Sequence, residues 1–311
     1  MKTKLRPLCL VLADAAALCA FLLIFALFHH VLPGVVAGRT DETPGENATF
    51  DFPGRFTDGA VEETNTENGY IYRDGSLALT VTYCEEDGVT YTLADFYVAD
   101  LSRFRTAFAG GDFVTGTASS VLHMAAENDA LLAASGDYCG VRKERSVVIR
   151  NGRVYRTSKA HEICVLYRDG VMETYRFADF NADRSIARGA WQAWDFGPCL
   201  LLDDGSARTE FNTGISGPNP RMLLGYYEPG HYCIVAVDGR QERSAGMTLP
   251  ECARLMERLG CRAAYNLDGG HSAVMVLNDE IVNSPSKPGG RDISDILYLT
   301  KSAPAETEET P

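Results

Sequence analysis

The sequence is short of positive charge. Its 311 residues hold 29 Lys and Arg against 42 Asp and Glu, a formal net charge of -13. That balance supplies no broad basic surface and argues against a nucleic-acid partner. The nine cysteines include no C-x-x-C pair, so neither a zinc ribbon nor a thioredoxin-like site is indicated. No His-x-His or His-Glu-x-x-His spacing offers a zinc site. No EF-hand pattern is present, so the Asp-rich loops leave a divalent cation such as calcium open without specifying one, and the sequence requires no cofactor. No internal repeat divides the chain. The remainder is ordinary for a globular protein, with 45% hydrophobic and 23% charged residues.

What the sequence does contain begins with an apolar run. Lys2, Lys4 and Arg6 precede a nearly unbroken stretch from Leu8 to Phe28. About twenty apolar residues cross a bilayer as a helix, and signal-peptide cores are usually shorter. Length therefore favours a retained signal-anchor, although Val35-Val36-Ala37 offers a small-residue cleavage site. Asp14, inside the run, costs roughly 2.5–3.5 kcal/mol at a helix centre and less near its edge. Basic residues before the run and acidic ones after it place the N-terminus in the cytoplasm and the bulk of the chain outside. The expected organisation is a basic stub and transmembrane helix over 1–30, an acidic flexible linker over 31–69, one folded domain over 70–301 and an acidic disordered tail over 302–311. Linker and tail are rich in Asp, Glu, Thr and small residues and poor in apolar ones. The cysteines beyond the anchor sit mostly beside apolar residues and read as buried thiols.

Strand and turn signals alternate through 70–301. "SLALTVTYC" and "VTYTLADFYVAD" flank the turn Glu85–Gly88, and "SVVIRNGRVYR" carries Asn151-Gly152, a strong hairpin signal. "EICVLYRDGVMETYRF" turns at Asp169-Gly170, and "HYCIVAVDG" reads as a buried strand. Two helices stand out. Ser119 or Ser120 caps one that runs to about Asn128. Thr248 and Glu251 form a capping box for a second, which Gly260 ends. The expected fold class is α+β: strand-rich mixed sheets with a few helices, in a single domain behind the transmembrane helix.

The chemistry collects at the ends of apolar runs. In "AYNLDGGHSAVM" (Ala264–Met275), two glycines after Asp268 permit positive φ and close approach. Successive amides in such a turn can cradle an anion. Asn266, Asp268 and Ser272 offer side chains around the same spot. A plain strand-turn-strand hairpin explains the stretch equally well. Four further segments repeat the pattern of an Asp or Arg at a strand end: "AASGDYCG" with Asp137, "QAWDFGP" with Asp195, "GPNPRMLLG" with Arg221, and "AVDGR" with Asp238 and Arg240.

In this order the segments resemble the phosphodiester glycosidase family, over about Tyr70 to Thr300. "AASGDYCG" is similar to the family's Asn-Gly-Asp-aromatic segment, "WDFGPCLLLDDG" to its Phe-Gly-Pro block and "NPRMLLGY" to its Pro-Arg-Thr block. "VDGR", "NLDGGHSAVM" and "GGRDISDILYL" follow as the Asp-Gly-Arg, Leu-Asp-Gly-Gly-Gly-Ser and terminal Arg-containing segments. The likeness is strongest to bacterial envelope members, often exopolysaccharide-related. Ser135, Met222, His271 and Ala273 depart from the family pattern.

The resemblance implies hydrolysis of a sugar 1-phosphodiester, of the N-acetylglucosamine type, at the anomeric carbon. Such a site needs cations or N–H donors for the leaving phosphate and a carboxylate for the oxocarbenium-like transition state. Asp268 is the first expectation for the essential carboxylate, with Asp137 and Asp238 next. Arg221, Arg240 and Arg291 are the expected phosphate clamp, because a planar fork matches two phosphate oxygens. Gly269 and Gly270 would add backbone donors. Asn266 and Ser272 would orient the sugar or the carboxylates, and His271 would border the nest. Trp191 or Trp194 would pack on a sugar face or in the core. Two other readings stay open: a metal-dependent phosphodiesterase, and a non-catalytic glycan-binding envelope protein.

Overall fold

The computed structural model describes residues 5–26, 34–35, 42–141 and 145–301. The expected tail, 302–311, and parts of the expected anchor and linker lie outside the described residues. Helix α1 (Leu5–Ala26) is followed by β1 (Gly34–Val35), β2 (Glu62–Thr66), β3 (Gly69–Arg73), β4 (Leu77–Glu86), β5 (Val89–Val98), β6 (Phe104–Phe108) and β7 (Val114–Thr115). Helix α2 (Val121–Glu127) leads into β8 (Ala130–Ser135), β9 (Ser146–Arg150), β10 (Arg153–Ser158), β11 (Ile163–Tyr167) and β12 (Met172–Tyr175). Helix α3 (Ala182–Ala187), β13 (Ala190–Trp194), β14 (Arg221–Glu228), β15 (His231–Val237) and helix α4 (Leu249–Arg258) come next. The described chain closes with β16 (Ala263–Leu267), β17 (Met275–Leu277), β18 (Glu280–Ile281) and β19 (Asp295–Thr300).

Three sheets carry the fold. A seven-stranded sheet runs β16-β14-β15-β5-β4-β3-β2, one five-stranded sheet runs β10-β9-β13-β11-β12, and another runs β18-β17-β8-β19-β6. Every ladder among the described residues is antiparallel. The class is α+β and strand-rich with few helices, as expected. Local chemistry explains the connections. Asn151 (φ 51°) and Gly152 (φ 77°) turn β9 into β10, and Asp87 (φ 51°) and Gly88 (φ 72°) turn β4 into β5. Both capped helices form: Ser120 caps α2, and the Thr248–Glu251 box caps α4.

The central core draws on all three sheets, with Phe96, Leu132, Trp194, Tyr232 and Leu297 in one buried cluster. Each such side chain stabilises the fold by about 1.5–3 kcal/mol on burial. Helix α4 lays Cys252, Leu255 and Met256 on a second cluster with Leu223 and Val235 of the seven-stranded sheet.

Two features change the expected organisation. Residues 42–66 lie along the domain instead of forming a solvated spacer. The Thr43, Ala48 and Phe50 amides each donate at 2.7 Å, to the Gly152, Arg168 and Ala99 carbonyls, and β2 joins the large sheet. Aromatic residues outweigh the acidic composition here: Phe50 packs on the core, and Phe52 meets Tyr97 edge-on at 4.9 Å. At the other end, α1 covers most of the apolar run. Among the described residues, no helix is long and apolar enough to cross a membrane. Part of the run Leu8–Phe28 lies outside the described residues.

The topology settles the Gly-Gly segment. Strand β16 belongs to the seven-stranded sheet and β17 to a five-stranded one. Residues 268–274 therefore cross between sheets and are not a hairpin turn.

Candidate active site

The crossover begins at the end of β16. Leu267 pairs with Met222 of β14, which brings Asp268 beside the Pro220–Arg221 turn. Gly269 lies directly against that turn, and a Cβ there would stand 2.5 Å from the Pro220 carbonyl oxygen. The Gly270 amide donates to the same carbonyl at 2.9 Å. Gly270 is thus not a free donor for an anion. The Gly269 amide has no protein acceptor among the described residues.

Asp268 is 6% exposed. Its Oδ2 accepts from Arg291 Nη2 at 2.8 Å. Arg291 also donates to Ser272 Oγ, from Nε at 3.0 Å and from Nη2 at 2.6 Å. Burial raises the Asp268 carboxyl above its ordinary 3.8, opposed by the Ser272 hydrogen bond and the Arg291 charge. The Arg291 side chain is 42% exposed, so its guanidinium reaches both the buried carboxylate and solvent. On its other side it lies over the Tyr138 ring, 5.2 Å from the centroid. Tyr138 adopts φ 67°, a conformation that costs a non-glycine residue about 1–3 kcal/mol and that clusters at functional sites. Arg240 is exposed and donates to Asn219 Oδ1 at 2.8 and 3.2 Å. Its Nη2 lies 3.3 Å from where a Gly270 Cβ would sit. A buried carboxylate therefore stands beside one guanidinium, with a second across the glycine turn.

Not every expected residue joins this group. Arg221 is 3% exposed and donates to the carbonyls of Met247 (3.0 Å), Ile215 (2.6 Å) and Gly217 (2.6 Å). It braces the loop, leaving Arg291 and Arg240 as the accessible pair. Asp238 lies apart: its carboxylate accepts from Thr90 Oγ1 (2.9 Å), Ser284 N (2.8 Å) and Asn283 Nδ2 (3.2 Å). It ties β15 to the segment after β18. Burial raises its carboxyl, and those three hydrogen bonds lower it. Asn266 is buried and donates to the Gly197 carbonyl at 2.8 Å, while its Oδ1 has no partner. His271 is exposed. Trp191 and Trp194 are both core residues, 5% and 0% exposed, and offer no sugar platform. Asp195 accepts from the Val147, Ala160 and His161 amides and is structural.

Asp137 is fully buried and stands behind Asp268. The Asp268 amide donates to the Gly136 carbonyl at 3.0 Å, and the Asp137 charge adds to what raises the Asp268 carboxyl. Two residues not singled out from the sequence complete this layer. Arg150 Nη2 lies 2.9 Å from both Asp137 Oδ1 and Asp295 Oδ2. Asp137, Cys139 and Asp295 are close enough to share a metal ion, but the Arg150 guanidinium already bridges the two carboxylates. Burial, then the negative charges of Asp295 and Asp137, push the Cys139 thiol well above its ordinary 9.0.

Comparison with known proteins agrees with the fold. A family model for phosphodiester glycosidases matches residues 128–300, more than half of the chain. The SPbeta prophage-derived uncharacterized protein YomE of Bacillus subtilis (strain 168) is 29% identical over 198 residues. That alignment covers 60% of this chain and 30% of YomE, so the match spans under a third of the relative's length. Among solved structures, the catalytic domain of zebrafish N-acetylglucosamine-1-phosphodiester alpha-N-acetylglucosaminidase, auto-inhibited by its pro-peptide, aligns with TM-score 0.60 at 17% identity. The alignment covers 88% of this chain and 97% of that one and shows a shared fold.

Proposed function

The chain belongs to the phosphodiester glycosidase family, and from that premise we propose that it hydrolyses a sugar 1-phosphodiester, of the N-acetylglucosamine type, at the anomeric carbon. The observation that carries this reading is the pairing of buried Asp268 with half-exposed Arg291, with Arg240 across Gly270. The two guanidiniums suit the phosphate, whose negative charge grows as it leaves. Asp268 supplies the carboxylate that an oxocarbenium-like transition state requires. The bond from the anomeric carbon to the bridging phosphate oxygen breaks, and its electron pair leaves with the phosphate. A water oxygen bonds to the carbon, and its proton passes through the carboxylate to solvent or to the product phosphate. Ser272 holds Arg291 against Asp268.

Hydrolysis of an α-N-acetylglucosamine 1-phosphodiester in oxygen-18 water distinguishes the bond broken. The phosphomonoester product is expected to carry no label. Label in that product would mean P–O cleavage and a phosphodiesterase. Absence of turnover by folded protein would overturn the N-acetylglucosamine assignment.

The location proposed with this activity is a single-pass membrane anchor, cytoplasmic N-terminus and extracellular domain, with the substrate in envelope or exopolysaccharide material. Supporting it, α1 presents Leu18, Phe21, Leu22 and Leu23 at 53–72% exposure. Apolar side chains in that number need cover, and lipid supplies it. After alkaline washing of membranes the full chain is expected in the pellet; recovery in the supernatant would overturn the anchor.

A further inference from the structure

Behind the mouth of the site, the Gly136–Tyr138 turn rests on a buried charge cluster. The Arg150 side chain is 2% exposed, and those of Asp137 and Asp295 are 0% exposed. The Asp295 carboxylate works in two directions. Its Oδ2 accepts from Arg150 Nε (3.2 Å) and Nη2 (2.9 Å), and its Oδ1 accepts from the Asp137 amide at 3.2 Å. The Gly136 amide donates to the Asp295 carbonyl at 2.9 Å. Contact is so close that a Cβ on Gly136 would overlap the Asp295 carboxylate. Asp137 in turn accepts from Arg150 Nη2 at 2.9 Å and from the Asp195 amide at 2.7 Å. The far side of this turn faces the reaction, because the Gly136 carbonyl accepts the Asp268 amide at 3.0 Å.

Resting on the reading of Asp268 as the essential carboxylate, we propose that Arg150 and Asp295 are positioning residues for the hydrolysis. They fix Gly136 and Asp137 and, through one peptide hydrogen bond, the backbone from which Asp268 projects. A buried ion network is weak evidence for a stabilising role, since apolar side chains of similar volume often hold a core as well. What the charges add is direction. The fork of Arg150 sets the spacing of two carboxylates, and Asp295 sets the Asp137 amide. A second, longer contact reaches the same backbone from the neighbouring residue, the Ser135 hydroxyl donating to the Asp268 carbonyl at 3.5 Å. A displacement of about 1 Å at a reacting group can cost about a hundredfold in rate.

Asp295→Asn in the full chain tests this. An amide cannot accept on both sides, so either the Arg150 or the Asp137 contact is lost, while Arg150 and Asp137 remain charge-matched. The expected result is a fall of about tenfold or more in kcat, with KM and inhibition by inorganic phosphate within about twofold, because Arg291 and Arg240 are untouched. Arg150→Lys, which keeps the charge but loses the fork, is expected to give the same pattern. Hydrogen exchange supplies a readout independent of activity. Within the peptide Ala264–Met275 the Asp268 amide is expected to exchange about tenfold faster or more, with α4 and β15 unchanged. Exchange that is unchanged, or faster everywhere alike, would overturn the proposal. So would an unaltered kcat beside the altered exchange. If the unmodified protein fails to hydrolyse the diester, the preceding reading fails, and exchange still decides whether the clamp reaches Asp268.

Discussion

Asp268→Asn is expected to lower kcat by about a thousandfold, roughly 4 kcal/mol of transition-state stabilisation, without loss of stability at pH 7. The two halves have separate causes. The amide keeps the shape of the carboxylate but cannot balance positive charge at the anomeric carbon or take a proton from water. Its loss of the Arg291 ion pair costs little, since that guanidinium is 42% exposed. Burial meanwhile raises the Asp268 carboxyl above its ordinary 3.8. A carboxyl raised on folding destabilises the native state above its folded value, and the cost disappears as pH falls toward the unfolded value. The variant should therefore melt at the same temperature or higher at pH 7, with any advantage gone near pH 4. The same shift gives the unmodified enzyme an acid limb in kcat/KM with a midpoint above 3.8, activity falling as the carboxylate is protonated. Melting curves and initial rates from pH 4 to 8 check both statements. A variant retaining a tenth of the activity would remove Asp268 from the chemistry.

Asp268 was legible because its surroundings are local. A glycine pair between two apolar runs marks a place where backbone must approach something closely, and the structure shows what: the Pro220 carbonyl and the Arg240 guanidinium. Asp137, expected as the next candidate carboxylate, is instead fully buried and ion-paired with Arg150 behind Asp268. Arg150 and Asp295 were not legible. "SVVIR" reads as a strand entering an Asn-Gly turn, where an Arg is ordinarily a surface cation, and Asp295 opens an apolar strand. Their meaning lies in a pairing across 145 residues, which no local period records. Arg221 failed in the opposite sense. A cation after two prolines looks available for phosphate, yet its donors go to the Ile215 and Gly217 carbonyls of the preceding loop and to the Met247 carbonyl before α4.

The fold divides along the same line. Hairpins at Asn151-Gly152 and Asp169-Gly170, and the Thr248 capping box, follow from contacts within a few residues. Residues 42–66 are acidic and polar on average, but sparse aromatics such as Phe50 and Phe52 find partners supplied by distant strands. Helix α3 has six residues, too short for an apolar period to show. Whether Ala264–Met275 was a hairpin depended on which sheet received each half, and neither half states its partner.

Arg150→Met is expected to cost about 3–5 kcal/mol of stability at pH 7, because it leaves two fully buried carboxylates without their common cation. For a domain of this size that is a fall in melting temperature of roughly 6–20 °C. In the unmodified protein burial lifts the Asp295 carboxyl to about 6; Arg150 opposes the shift and the Asp137 charge adds to it. Removing the arginine removes the charge that opposes this shift, so the Asp295 carboxyl moves further upward. Since a raised carboxyl binds its proton more tightly when folded, stability increases as pH falls from about 6 toward the ordinary 3.8. The deficit of the variant should therefore narrow with acidification, the reverse of a plain cavity, which is indifferent to pH. A second substitution, Asp295→Asn on Arg150→Met, should recover part of the loss by discharging one carboxylate. Denaturant melts of the three proteins at pH 5 and 7 check the argument. A deficit below about 1 kcal/mol at pH 7, or one that does not shrink at pH 5, would show that the cluster is not held by the charge of Arg150.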